Sequence, residues 1–382
     1  MNRRAILIIG YFRGNVGDDL FVKTLVERYP KENFELLTSC RFARSFLGIQ
    51  NLSIINKNLF LRGLNFLMHR FVADFSSRLL WAVRASRYKA VVEIGGSIFQ
   101  QESEKQNVVS PERTELLKKV ENYFVIGSNF GPVISGGYIS AYHNFFKKTG
   151  GVVFRDFKSY DLFSDLSNIS YAPDVVFSLF DKAVPFRSRS QHINWVSIVP
   201  VDLKYPKRAN YMQLAQYAEQ YEEHLYRIAY EALRKKMKIR FISFCLDEGD
   251  NKCIARIVAR FSKEDRQNIV VVTGDVGNIF AALANTEYLI GSRFHAMILA
   301  WILGIKQLAI PYSEKTTSVI NDLFPKQTTE TLNSFCNDDQ PFKFKSLVTM
   351  PCSLVKHYAN AAEQQFAFLD SFLKSKKMKE YN

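Results

Sequence analysis

The sequence predicts an α/β protein made of two Rossmann-like domains, each with a parallel sheet. Short apolar runs alternate with longer amphipathic stretches along the 382 residues, the βα rhythm of parallel sheets. Most of these runs are continuously apolar, as strands covered on both faces read. The series also occurs twice, on either side of a polar, basic stretch, Pro185–Asn194.

Strands are expected in the first half at Ala5–Ile9, Phe34–Thr38, Ala90–Ile94, Tyr123–Ile126 and Val152–Phe154. In the second half they are expected at Trp195–Val199, Ile239–Phe244, Ile269–Val272, Tyr288–Ile290 and Gln307–Ile310. Tyr211–Lys236 reads as a long amphipathic helix and Ser353–Lys374 as a closing helix. The expected domains are therefore 1–184 and 195–382, with Pro185–Asn194 as the hinge and the closing helix part of the second domain. Ligands of such sheets are expected at the carboxyl ends of the strands.

Hydrophobic residues make up 47% of the chain and charged residues 23%, enough apolar material for a buried core. The five cysteines are scattered with no C-x-x-C pair, which argues against a disulfide framework and a structural zinc site and for a reducing cytoplasm. Ala5–Ile9 is too short for a secretory core. No apolar run reaches the ~18 residues of a membrane helix. The nearest, Leu59–Val83, is interrupted by Arg62, His69, Arg70, Asp74 and Arg78. The 51 Lys and Arg against 37 Asp and Glu give a net charge of +14. A solvated basic surface is the first reading of that charge; contact with anionic lipid or a lipid-linked substrate at the inner membrane face is the second. No nucleic-acid motif is present.

Six segments carry candidate chemistry. Gly10-Tyr-Phe-Arg-Gly14-Asn15-Val16-Gly17-Asp18-Asp19 follows the first strand. Its glycines allow tight turns and close ligand approach, but the spacing departs from the dinucleotide fingerprint G-x-G-x-x-G, and no P-loop occurs anywhere. Asp18 reads either as a helix cap or as a reactive carboxylate. Glu93-Ile-Gly95-Gly96-Ser97 and Ile126-Gly127-Ser128-Asn129-Phe130-Gly131-Pro132 each close a strand. They read as ligand-accommodating turns or as plain βα turns. Arg155, after Val152–Phe154, offers a fork for carboxylate or phosphate, or else a surface pair with Asp156. Ala172-Pro173-Asp174 reads as a structural turn. The most informative segment runs Leu289-Ile-Gly291-Ser292-Arg293-Phe294-His295 and continues to Pro311-Tyr312-Ser313-Glu314-Lys315. With Ser292 as N-cap, Arg293 and His295 fall in a first helical turn, and Lys315 opens the next helix. Backbone N–H groups and three basic side chains at neighbouring strand ends suit an anion.

In order along the chain, G-N-V-G-D-D, I-G-G-S, I-G-S-N-F-G-P, F-R-D-F-K-S, A-P-D, S-R-F-H and P-Y-S-E-K resemble the polysaccharide pyruvyl transferase family. The resemblance spans Ile8 to Lys315. It implies a GT-B-like arrangement of two domains and transfer of pyruvate from phosphoenolpyruvate, as a ketal, to a sugar of a surface or exopolysaccharide precursor, free or lipid-linked. The family's arginine-x-histidine element falls on Arg293 and His295, and its strand-end arginine on Arg155. Phe294 stands where leucine is common, Asp19 where glutamate is common, and Ser97 where a third glycine is common.

The chemistry itself asks for cations around a phosphate and a carboxylate, a proton donor for the methylene carbon and a base for the sugar hydroxyls. Expected catalytic residues are His295, Asp18 and Asp19. Expected substrate contacts are Arg155, Arg293, Lys315, Asn15, Gly95, Gly96 and Asn129. The donor is expected on the second domain and the acceptor on the first; no metal or cofactor is called for. A nucleotide-sugar glycosyltransferase of GT-B type is the competing enzyme reading, and a non-catalytic saccharide-binding protein the third.

Overall fold

The computed structural model describes residues 5–56, 85–103, 106, 108–120, 122–187 and 194–380. Leu59–Val83 and most of the expected hinge, residues 188–193, lie outside the described residues. Two sheets form. The first contains β1 (Ala5–Ile9), β2 (Phe34–Thr38), β3 (Leu52–Asn56), β4 (Tyr88–Ile94), β5 (Tyr123–Ser128), β6 (Gly151–Phe154) and β7 (Ile169–Tyr171). Its order is β3-β2-β1-β4-β5-β6-β7, and every pairing is parallel. The second contains β8 (Trp195–Val199), β9 (Lys238–Ile242), β10 (Ile269–Val272), β11 (Tyr288–Gly291) and β12 (Lys306–Ala309). Its order is β10-β9-β8-β11-β12, again parallel throughout.

In each sheet the order turns back beside its first strand, between β1 and β4 and between β8 and β11. That is the topological switch point of a doubly wound sheet, where the loops after neighbouring strands diverge and leave a crevice. β5 and β6 are buried along their whole length, which explains their unbroken apolar sequences. Two strands, β3 and β7, are absent from the sequence expectation. Both are sheet edges, and their sequences, Leu-Ser-Ile-Ile-Asn and Ile-Ser-Tyr, are short and mixed because one side faces less protein.

The chain divides into two compact units at other points than the sequence suggested. The first comprises 1–13, 18–175 and 361–382; the second comprises 14–17 and 176–360. The crossing therefore falls at Val175/Val176, ahead of the polar stretch. Pro185, expected in the hinge, lies inside the helix Phe180–Arg187, whose Arg187 donates to the Trp301 and Ile302 carbonyls of the second unit at 2.6 and 2.7 Å. The expected hinge therefore does not coincide with the crossing between the units. The closing segment also returns to the first unit, contrary to the expected boundary at 195–382.

That return is fixed by polar contacts. Arg28 and Tyr29 both donate to Asp370, each at 2.8 Å. Gln365 is buried and accepts from the Gly127 N–H at 2.8 Å, while its amide donates to the Ala172 carbonyl at 2.7 Å and the Pro173 carbonyl at 3.1 Å. One side chain thus satisfies backbone groups at the carboxyl ends of β5 and β7. Gln365→Ala will leave those groups unpaired. At ~1–3 kcal/mol for a stranded buried polar group, we expect about 3 kcal/mol of lost stability, read as a lower calorimetric Tm.

Among the described residues no helix is long and apolar enough to cross a membrane.

Candidate functional site

In the first unit, candidate residues gather at the carboxyl ends of β1, β4, β5 and β6. The helix Val16–Arg28 opens with Asp18 and Asp19 in its first turn, where the helix dipole favours negative charge. Both are buried, 5% and 3% exposed. Asp19 Oδ2 accepts from the Ser45 hydroxyl at 2.6 Å, and Oδ1 has no hydrogen-bond partner among the described residues. Burial pushes the Asp19 carboxyl up to about 7, against the Ser45 bond and with help from the Asp18 charge. A carboxyl that titrates near neutrality fits acid–base work. The capping role weighed for Asp18 falls to Asn15, whose Oδ1 accepts from the Gly17 N–H at 3.1 Å.

The turn after β4 is organised around Arg155. A Cβ on Gly96 would lie 2.6 Å from Arg155 Nη2 and 2.8 Å from Nη1, so only glycine lets the guanidinium lie on this backbone. Arg155 donates to Asp174 Oδ2 at 2.9 Å and to Asn129 Oδ1 at 2.8 Å. Ser97 donates to the same Asn129 oxygen at 3.0 Å. Four of the sequence segments thus meet at one arginine. The surface pair expected with Asp156 is replaced by a buried one with Asp174, while Asp156 caps the next helix by accepting from Ser159. Arg155 and Asp174 are 2% and 1% exposed; breaking such a buried pair on one side costs about 3–5 kcal/mol. Gly95, adjoining Gly96, would place a Cβ 3.6 Å from Asp18 Oδ1. Beneath the turn, Glu93 is held by Arg113 at 2.6 Å and Tyr123 at 2.5 Å.

In the second unit, the loops after β8, β9, β11 and β12 build a cationic cluster around two carboxylates. Arg293 precedes the helix Phe294–Leu303 as its N-cap residue. Ser292, expected there, instead shares a hydrogen bond with the Tyr221 hydroxyl at 2.7 Å. All ten residues of this helix are buried, as its apolar composition on every side requires. His295 is the one ionisable side chain it carries, in its first turn. Arg293 Nε donates to Asp250 Oδ2 at 2.9 Å, and Nη1 to Glu248 Oε2 at 2.7 Å; Nη2 pairs with Asp250 Oδ1. Arg208 pairs with the same Glu248 carboxylate. Burial alone would raise Glu248, but Arg293 and Arg208 outweigh it and hold the carboxyl down to about 2.

Tyr312, after β12, has Arg208 over its ring at 5.5 Å. Burial acts to raise its phenol, yet Arg208, Lys315 and Arg293 together bring it below the ordinary value. Lys315 stands in the first turn of the helix Glu314–Leu323. Beside it the hydroxyls of Ser313 and Thr316 are buried without a hydrogen-bond partner among the described residues. Native proteins rarely leave such groups unpaired, and two at one helix N-terminus suit an incoming oxyanion. Arg208, Glu248, Asp250 and Thr316 were not singled out from sequence, and Ser313 was read only as part of P-Y-S-E-K.

The Gly14–Gly17 segment groups with this unit. Val16 N–H donates to the Phe244 carbonyl at 3.0 Å. A Cβ on Gly17 would fall 1.6 Å from His295 Nδ1, so the imidazole occupies the space a side chain would need. Residues 278 positions apart in sequence are thereby packed together. Among the described residues no group of three or more His, Cys, Asp or Glu is arranged to hold a metal ion.

The polysaccharide pyruvyl transferase family model matches residues 15–314. The chain belongs to this family. The match runs from Asn15 to Glu314, and it is a family of transferases acting in a polysaccharide context. No curated protein sequence matches the chain significantly. Among solved structures, the UDP-N-acetylglucosamine 2-epimerase of Rickettsia bellii is similar with a TM-score of 0.57 at 8% identity, over 97% of each chain. The UDP-GlcNAc 2-epimerase of Methanocaldococcus jannaschii gives 0.54 at 8% identity, over 94% of this chain and 99% of that one. The Anabaena protein HepE, solved with UDP, gives 0.50 at 9% identity, over 99% and 100%. At such identities the likeness is one of fold, and it bears out the GT-B-like α/β class expected from sequence.

Proposed function

We propose that this family member transfers pyruvate from phosphoenolpyruvate to two hydroxyls of one sugar in a polysaccharide precursor. The methylene carbon takes a proton, one hydroxyl oxygen bonds to the former enol carbon, the C–O bond to phosphate breaks, and the second hydroxyl closes the ketal. Of the two hydroxyl protons, one balances the new methyl group and the other leaves on phosphate.

The observation that carries this reading is the anion-ready end of β12: the unpartnered Ser313 and Thr316 hydroxyls beside Lys315. A phosphate there would satisfy both hydroxyls and a helix N-terminus together. Arg293 is fixed by Asp250 and Glu248 and is assigned the donor's carboxylate. His295 and Tyr312 are the proton donors within the same unit. In the first unit Asp19 is assigned as base, Asp18 as its charged neighbour that orients a hydroxyl, and Gly95, Gly96 and Asn129 as the turns that accept the sugar. Arg155 acts by holding Gly96 and Asn129 in place. Asn15, through its bond to Gly17, positions the segment that touches His295. Contact with anionic lipid remains a proposal resting on the +14 charge.

The deciding experiment offers phosphoenolpyruvate and, separately, UDP- and GDP-sugars to the protein with lipid-linked saccharides, following release of phosphate from the first and of nucleoside diphosphate from the others. Release from phosphoenolpyruvate alone supports pyruvyl transfer; turnover of a nucleotide sugar replaces it with glycosyl transfer. In calorimetry His295→Ala should weaken phosphoenolpyruvate binding about ten- to a hundredfold, the loss of one charge-assisted contact. Asp18→Asn should leave donor binding unchanged and slow transfer. The reverse pattern would exchange the roles of the two units.

A further inference from the structure

The second unit contains a cavity that the donor chemistry does not use. It measures about 340 Å³ and opens between the loops after β8 and β9, lined by Asp202, Lys204, Tyr205, Leu246, Lys252 and Arg256 among others. Its polar anchor is Asp202, whose side chain is only 6% exposed. Asp202 Oδ1 accepts from the Lys204 N–H at 3.0 Å and from Arg256 Nη2 at 2.7 Å. Oδ2 lies on the side of Gly249, 2.8 Å from where a Cβ would stand there, and receives none of these bonds. Tyr205 supplies an aromatic wall, steadied by the Arg208 guanidinium 5.4 Å from its ring centroid. Leu246, half exposed at 50%, supplies an aliphatic one. Lys204 and Lys252 stand at the rim, both exposed.

We infer that this cavity binds one hexose ring of the acceptor saccharide. The lining is that of a sugar site: a ring and an aliphatic side chain for the C–H faces of a pyranose, a buried carboxylate oxygen to accept from a hydroxyl, and ammonium and guanidinium donors for hydroxyl and ring oxygens. A free phosphate fits less well, because Asp202 and Asp247 both line the cavity and would repel it. A nucleoside diphosphate is too large: the volume stands at the low end of the ~300–1,000 Å³ of small-molecule sites, room for a single ring. The inference rests on the proposed transfer only in taking the acceptor to be a sugar. It adds that the acceptor is also recognised by the second unit, through a sugar other than the one modified.

The test is saturation-transfer NMR on the full chain with methyl glycosides of glucose, galactose and mannose, without phosphoenolpyruvate. At least one glycoside should bind at millimolar concentration. Tyr205→Ala should weaken it about tenfold and Tyr205→Phe should retain it, since the ring and not the hydroxyl makes the wall. Lys204→Ala, at an exposed rim position that leaves the fold intact, should weaken it several-fold. No binding by any of the three, equal binding to Tyr205→Ala, or displacement of the glycoside by inorganic phosphate would overturn the inference. Glycoside binding without consumption of phosphoenolpyruvate sinks the pyruvyl reading alone. Pyruvyl transfer with an unchanged acceptor KM in Tyr205→Ala and Lys204→Ala sinks this one alone.

Discussion

Asp19→Asn should abolish transfer while making the protein more stable above neutral pH. Removing a general base costs roughly 10²–10⁴-fold in rate. In the wild type, kcat should rise with pH through about 7 as Asp19 loses its proton. The stability effect has the opposite sense. Asp19 titrates near 3.8 in the unfolded chain and near 7 in the fold. Between those values the native state holds a proton that the unfolded state has released, so stability falls as pH rises through this window. Below it both states are protonated and the residue is neutral to stability; above it the charged carboxylate is buried at a cost of up to roughly 4 kcal/mol. Asparagine, which keeps an acceptor for Ser45, avoids that cost. The Tm of Asp19→Asn should therefore exceed wild type at about pH 8 and match it near pH 4. Equal Tm differences at both pH values would remove the buried-proton explanation.

The second large effect is expected at Gly17. Helix propensity alone predicts that alanine stabilises a helix by about 1 kcal/mol over glycine. The structure predicts the reverse, because the new Cβ would lie 1.6 Å from His295 Nδ1 and 2.3 Å from its Cγ. His295 begins a helix buried on all sides, so the ring can move only by disturbing its neighbours. Gly17→Ala should lose at least ~10²-fold in kcat, as expected when a catalytic group is displaced, and should lower the Tm. Adding His295→Ala should recover the Tm but not the activity, because the two sites couple through one contact. A Gly17→Ala protein with normal Tm and kcat would show that the imidazole has room elsewhere.

The parts of the fold legible in the sequence are those whose burial is one-sided in information: β5 and β6, covered on both faces, could hardly read as anything else. β3 and β7 were not legible because an edge strand needs no apolar run. The unit boundary was hidden for a related reason. Composition reports polarity, and Pro185–Asn194 is polar, whereas the crossing between the units falls at Val175/Val176 in an apolar run. At the site, glycines and Arg293-Phe294-His295 stood out as motifs, while Asp202, Glu248 and Asp250 did not. Their signal was available in weaker form, as carboxylates just beyond the apolar runs of β8 and β9. What no reading of spacing could supply was pairing: that Arg155 takes Asp174 and Arg293 takes Asp250 follows from which strands lie side by side.

The return of residues 361–382 to the first unit has a consequence for how the protein is made. During synthesis the second unit, continuous from 176 to 360 apart from four residues, emerges with nearly all its partners present. The first unit emerges earlier but stays incomplete, because Gln365 and Asp370 are translated only after the second unit. Domains fold as units, and amino-terminal ones usually first; here the order is expected to be inverted for the final locking step. On the ribosome, the sheet β1–β7 waits with the carboxyl ends of β5 and β7 unsatisfied until Gln365 arrives, and that interval is when a nascent chain of this protein is most exposed to proteases and chaperones.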